Sequence, residues 1–187
     1  MEKQKDKEEY AIVLDYLPNG YPFDNRPSHQ KTPVVQVMGT RYFTLLEVAP
    51  KKGVFFQPLD KIYVGSGKRD KVHHIIGRLA ISKLTGTAKK ELDFVIEDVV
   101  KNNEKRFVDF FNTARPLSTR MHQLELLPGV GKKHMWQIIE ERENSEFQSF
   151  DDIRKRVKLL PNPMRTVIRR ITKELEGNEK YNLFVDA

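Results

Sequence analysis

Residues 124–133 read Leu-Glu-Leu-Leu-Pro-Gly-Val-Gly-Lys-Lys, a spacing suited to holding an anion. An apolar stretch runs into Pro128-Gly129-Val130-Gly131, and Lys132 and Lys133 open the helix expected next. Gly129 and Gly131 lack a Cβ, so the backbone there can take positive φ and leave its N–H groups uncovered. A helix start adds unpaired N–H donors and the positive end of its dipole. Phosphate is the ligand this suits best, held by Gly129, Val130, Gly131, Lys132 and Lys133. An ordinary αα turn needs only Pro128-Gly129; the second glycine, the two lysines and the flanking leucines favour phosphate.

Gly65-Ser66-Gly67-Lys68-Arg69 invites comparison with a nucleotide-binding P-loop. That motif needs a glycine five residues before its Gly-Lys and a Ser or Thr after the lysine. Ile62 and Arg69 occupy those places, so this is not a nucleotide motif. A basic turn is the better reading, with Lys68, Arg69 and Lys71 facing a nucleic-acid backbone or simply water. His73 and His74 are adjacent, so on a strand they point to opposite faces and do not readily share a metal. His122 and His134 flank the glycine turn without a metal spacing, and no metal or cofactor is expected.

Asp151 and Asp152 lie some twenty residues beyond the turn, where a base-excision glycosylase places its catalytic acid. They also directly follow Ser149, where acids favour a helix N-terminus, and capping is the stronger reading. Aromatic residues Tyr42, Phe43, Phe55, Phe56 and Tyr63 cluster in the strand-rich part and could stack on bases, although alternation turns about half of them into the core. Trp136 stands off the Met135–Ile138–Ile139 stripe, which marks its surroundings as a protein-partner surface if the ring is exposed.

The net charge of +7 and a pI near 9.5 fit a nucleic-acid partner without requiring one. The charge is concentrated: eight basic residues and no acid from Arg154 to Lys173, and eight against Asp70 alone from Lys61 to Lys90. There is no cysteine, which removes disulfides, iron–sulfur clusters and thiol nucleophiles and fits a reducing cytoplasm. No apolar run approaches a membrane span, and the charged start is not a signal peptide.

These residues must be positioned by two kinds of element. Tyr10–Leu17, Val34–Met38, Arg41–Val48, Lys61–Gly65 and Val72–Ile81 read as short strands, and the strand count predicts a small OB-like β-barrel. Thr85–Val100 turns helical with Leu92, Val95, Ile96, Val99 and Val100 on one stripe. Ser118 is expected to cap a helix carrying Leu117, Met121, Leu124 and Leu127. Further helices follow the glycine turn, start at Ser149 and run over Pro163–Leu175. The turn has an echo: Leu126–Lys132 recurs thirty-three residues later as Leu159-Leu160-Pro161-Asn162-Pro163-Met164-Arg165. There Asn162 can adopt a left-handed conformation. Met164 replaces the second glycine, so phosphate contacts would fall to Arg165, Arg169 and Arg170.

Residues Ser118–Leu175 resemble the helix-hairpin-helix family, which binds nucleic-acid backbones without reading sequence. The whole chain resembles an uncharacterised archaeal family of predicted RNA-binding proteins, through Gly65–Val72, Leu84–Leu92 and Leu124–Trp136 with its Glu140-Glu141-Arg142 exit. The resemblance implies an OB-like module and a helix-hairpin-helix module. The expectation is therefore an α+β chain: 1–9 a mobile tail, 10–100 an OB-like β-barrel with a flanking helix, 101–116 a helical connector, and 117–187 an all-α tandem helix-hairpin-helix domain with a degenerate second hairpin. The expected function is non-enzymatic nucleic-acid binding, RNA ahead of DNA, in the cytoplasm and away from membranes. The alternatives are a protein–protein adaptor in a ribonucleoprotein or repair assembly and, last, a nuclease or glycosylase. Oligomeric state is left open.

Overall fold

A computed structural model describes residues 7–186 of the chain; the expected tail residues 1–6 lie outside them. The chain divides into two compact units. One runs to Val95 and takes in the last residues from Phe184; the other is Ile96–Leu183.

In the first unit, β1 (Tyr10–Leu17), β2 (Val34–Gly39), β3 (Leu45–Pro50), β4 (Lys61–Tyr63) and β5 (Val72–Arg78) form one antiparallel sheet in the order β4-β1-β2-β3-β5. Ala11, Val13, Val35, Val37, Leu46, Val48, Ile62 and Val72 alternate onto one face and build a core. Bulges in β1 and along the β3–β5 pair bend the sheet into a curled half-barrel. Among the described residues the edges β4 and β5 do not pair. Because β1 is antiparallel to both β2 and β4, and β3 to both β2 and β5, the two edges run in the same direction.

The strand expected from Arg41 begins only at Leu45, and Glu8 is the reason. Its buried carboxylate accepts N–H bonds from Arg41 (2.9 Å), Tyr42 (2.8 Å) and Thr44 (3.1 Å). The chain wraps this anion with Phe43 at φ 55°, and a Cβ on Gly39 would collide with the Glu8 side chain. Glu8 is therefore a structural anchor and not part of a loose tail.

Gln36, fully buried, donates to the Tyr21 hydroxyl (3.0 Å) and the Lys83 carbonyl (3.1 Å), and accepts from the Thr85 N–H (2.9 Å). Thr85 in turn donates to Asp15 (2.6 Å) and accepts the Ala88 N–H (3.1 Å), capping α1 (Gly86–Asn102). Tyr21 donates to Glu47, and burial together with that carboxylate pushes its hydroxyl up to about 12. The predicted stripe Leu92, Val95, Ile96, Val99 and Val100 of α1 is buried.

The second unit holds α2 (Glu104–Thr113), a ribbon of β6 (Pro116–Ser118) and β7 (Met121–His122), then α3 (Lys132–Asn144), α4 (Phe150–Arg156) and α5 (Pro163–Leu175). The stretch expected to be an α-helix from Ser118 to Leu127 is the ribbon followed by one 3-10 turn, Gln123–Leu126. Local hydrogen bonds explain the difference. Arg115 N–H donates to the Gln123 side chain (2.7 Å), and Gln123 N–H returns to the Arg115 carbonyl (3.0 Å). His122 Nδ1 accepts from Leu124 N–H (3.1 Å) while Glu125 accepts from His122 N–H (2.8 Å), a reciprocal cap that starts a new turn at Gln123. Leu124 and Leu127 are still buried, so the apolar spacing served a core without an α-helix. Asn112 clamps the backbone of Phe147 with two hydrogen bonds, fixing the α3–α4 connection to α2.

Candidate nucleic-acid interface

The first hairpin turns at Gly129, whose φ of +84° is closed to most side chains. A Cβ there would lie 2.9 Å from Pro161 Cγ, so this glycine lets the first turn pack against the second. The missing side chain thus serves a contact between turns. Val130 is buried and its N–H bonds to the Leu127 carbonyl (3.0 Å), which removes it as a phosphate donor. Gly131 is different: it is the exposed N-cap of α3, in extended conformation, with open space where a Cβ would stand. No side chain among the described residues caps α3. The N–H groups opening this helix, with exposed Lys132 and Lys133 beside them, form an electropositive start without an internal acceptor.

The second hairpin meets the first at Pro161, so α3 and α5 begin within a few residues of one contact. Its own start is partly capped from within. Pro163 has no N–H, and Asn162 Oδ1 accepts from Arg165 N–H (3.1 Å). Asn162 sits at φ −49°, and the left-handed residue of this turn is Leu159 at φ 63°. Arg165 and Arg169 are exposed, as a phosphate contact requires. Arg170 is not: it is buried, and its guanidinium bonds Glu174, Glu179 and the Leu126 and Tyr181 carbonyls. Arg170 therefore leaves the set of binding residues for a structural role.

In the first unit, Lys68 and Lys71 are exposed. The glycines around them serve Tyr63, whose hydroxyl accepts the Gly67 N–H (3.0 Å) while its ring fills the space a Cβ on Gly65 would need. Arg69 is half-buried, its Nε donating to the Gly65 carbonyl (2.7 Å). Tyr63, Gly65, Gly67 and Arg69 thus bind one another, while Lys68 and Lys71 face outward. A cleft of about 540 Å³ lies inside the same unit, its wall carrying Arg69, His74 and Arg78 with Leu46 and Ile75. His73 and His74 do not point apart: β5 bulges at His73, which brings the two Nδ1 atoms to 2.8 Å. Among the described residues no group of three or more His, Asp or Glu is placed to hold a metal ion.

Asp151 and Asp152 occupy capping and pairing positions. Ser149 accepts the Asp152 N–H (3.0 Å), Asp152 accepts from Gln148 N–H (3.0 Å) and pairs with Arg156 (3.3 Å), and Asp151 pairs with Lys155 (2.6 Å). The lysine hydrogen bond holds the Asp151 carboxyl below its usual range, the direction opposite to that of a general acid. Of the rings, Phe43 and Phe56 are buried while Phe55 is exposed. Trp136 is 63% exposed on α3. A feature that the residue pattern did not single out is a cleft of about 550 Å³ between the β6–β7 ribbon and α3, which Trp136 and Lys132 line together. It arises only because residues 116–122 form a ribbon. No helix is long and apolar enough to cross a membrane among the described residues.

Comparison with known proteins gives one consistent answer. The model of a family described as "Protein of unknown function (DUF655)" matches residues 7–186. The uncharacterized protein MJ0038 of Methanocaldococcus jannaschii is 47% identical over 180 residues, covering 95% of this chain and 80% of that protein. The crystal structure of Af1531 from Archaeoglobus fulgidus, itself described as a DUF655 family protein, is 50% identical and superimposes with a TM-score of 0.86 over 96% of this chain and 100% of its own. With the match running from the Glu8 anchor through both hairpins, the chain belongs to the DUF655 family of uncharacterised archaeal proteins.

Proposed function

We propose that this protein binds nucleic acid through the phosphate backbone, largely without reading sequence and without performing chemistry on it. The observation that carries the reading is the start of α3: an exposed glycine N-cap with open space above it, backbone donors without an internal acceptor, and two exposed lysines. Exposed Arg165 and Arg169 on α5 widen the cationic footprint, and Lys68 and Lys71 offer a second contact on the other unit. In this reading the second unit works as a helix-hairpin-helix module whose first helix has shrunk to a 3-10 turn and whose second hairpin is capped by its own Asn162. The half-barrel serves as the OB-like partner module. RNA is placed ahead of DNA on the family resemblance alone.

The test is a Lys132→Glu/Lys133→Glu double variant measured by fluorescence anisotropy against labelled RNA and DNA over a range of salt. Affinity should fall for all sequences alike, and the slope of log K against log salt should shrink by about two, one for each lost phosphate contact. Unchanged affinity and slope would remove the hairpin from the interface.

A further inference from the structure

The cleft between the β6–β7 ribbon and α3 has walls of Met121, Met135, Trp136 and Ile139. Its volume of about 550 Å³ lies in the range of sites that enclose small flat ligands. We infer that this cleft takes an unpaired nucleobase stacked on Trp136, so that the protein grips single-stranded nucleic acid in preference to duplex. The inference rests on the nucleic-acid reading above and specifies the form of the ligand.

Three observations favour this occupant. The first is the exposure of the ring: an indole 63% open to water beside other apolar groups offers a face on which any base can stack. The second is charge. The lining carries Arg120, Lys132 and Arg142 against Glu125 alone. Glu125 accepts the His122 N–H at 2.8 Å and Arg142 donates to the Phe111 and Ala114 carbonyls, which leaves Arg120 and Lys132 as the cations open to a ligand. The acids of α3, Glu140, Glu141 and Glu143, are absent from the lining. The cleft is thus complementary to a polyanion. The third is register. Lys132 and Trp136 are one turn apart on the same face of α3, roughly 6 Å along the axis. A phosphate at the helix start and a ring on Trp136 are then separated by a span that the sugar of a single nucleotide bridges. In a duplex the bases are stacked and paired inside the helix, so none reaches the indole without being unpaired; single strands and loops offer theirs freely.

Trp136 is the only tryptophan of the chain, so its emission reports on this cleft directly. The full chain should be titrated with unlabelled single-stranded RNA, single-stranded DNA and the matching duplexes, reading Trp136 emission alongside anisotropy of labelled strands. The expected result is saturable quenching by single strands, with weaker binding of duplex. Trp136→Ala should weaken single-strand affinity by roughly tenfold while moving duplex affinity little, and Trp136→Tyr should recover most of the loss. The ring is exposed, so a circular-dichroism melt of each variant should match the parent. If strands bind and the double glutamate variant weakens them, yet Trp136→Ala changes neither affinity nor preference, the base cleft is wrong and backbone binding stands. If no nucleic acid binds at all, both fall. Emission that responds to acidic peptides and not to strands would make the cleft a protein-docking surface and overturn the inference.

Discussion

Arg170 Nε donates to Glu174 Oε1 at 2.7 Å, one turn apart on α5, with the two side chains 3% and 0% exposed. The pair joins three segments. The guanidinium also holds the Leu126 carbonyl (3.1 Å), the Tyr181 carbonyl and Glu179 (2.8 Å), and Glu174 accepts the Leu183 N–H (2.7 Å). The approach to the first hairpin and the segment after α5 are thereby fixed to the same helix.

Removing one member strands the other. Arg170→Met should destabilise the protein by about 3–5 kcal/mol, because a buried carboxylate loses its cation and two carbonyls lose a donor. Urea unfolding of the single variants and of Arg170→Met/Glu174→Leu measures this. The double variant should cost less than the sum of the two single losses, since neither charge is then left alone. A loss equal to that sum would show the two residues acting independently.

The two hairpin glycines should respond in opposite ways. Gly129→Ala places a Cβ at positive φ and 2.9 Å from Pro161 Cγ, with an expected cost of about 1–3 kcal/mol. Gly131→Ser meets no neighbour and supplies a capping hydroxyl in extended backbone, so stability should hold or rise by a few tenths of about 1 kcal/mol. That hydroxyl would accept an N–H left open to phosphate in the parent. The variant should therefore bind nucleic acid more weakly although it is no less stable, which parallel melting and anisotropy measurements would reveal.

His122 makes stability depend on pH. Burial, reinforced by the Arg142 charge, pushes its imidazole below the ordinary 6.5, with Glu125 opposing. Neutral Nδ1 accepts the Leu124 N–H, and protonation would remove that acceptor. Below pH 6.5 the unfolded chain takes up a proton that the folded chain resists until its own lower pKa. Stability is therefore full above 6.5 and declines as pH falls through that window. Urea midpoints at neutral pH and near the acid end of the window should show the decline, and His122→Asn, which can cap without titrating, should flatten it. An equal decline in the variant would assign the effect to other groups.

Much of the architecture is written locally. Tyr10–Leu17 forms its strand because β-branched and apolar residues run up to Pro18-Asn19-Gly20, and α5 starts at Pro163 because proline suits the first helical position behind an Asn cap. Ser149 and Asp152 start α4 for the same kind of reason. The segment 117–127 misleads because Leu117, Met121 and Leu124 have helical spacing, while the His122–Glu125 cap and the Arg115–Gln123 bonds restart the backbone within it. The cleft beside Trp136 depends on that restart and so had no readable signal.

What the chain determined by itself is therefore its short-range chemistry: strands, caps, the glycine turn, the basic blocks and the absence of cysteine. Tertiary structure decided which charges remain available. Arg169 and Arg170 are neighbours with identical side chains, yet one faces water and the other is held by a carbonyl 44 residues away. Gly129 and Gly131 look equivalent in the turn, but Pro161, brought from the second hairpin, takes the space beside the first and leaves the second open. Residue type and spacing specify what a group can bind; only packing against distant segments specifies whether its partner is the protein or a ligand.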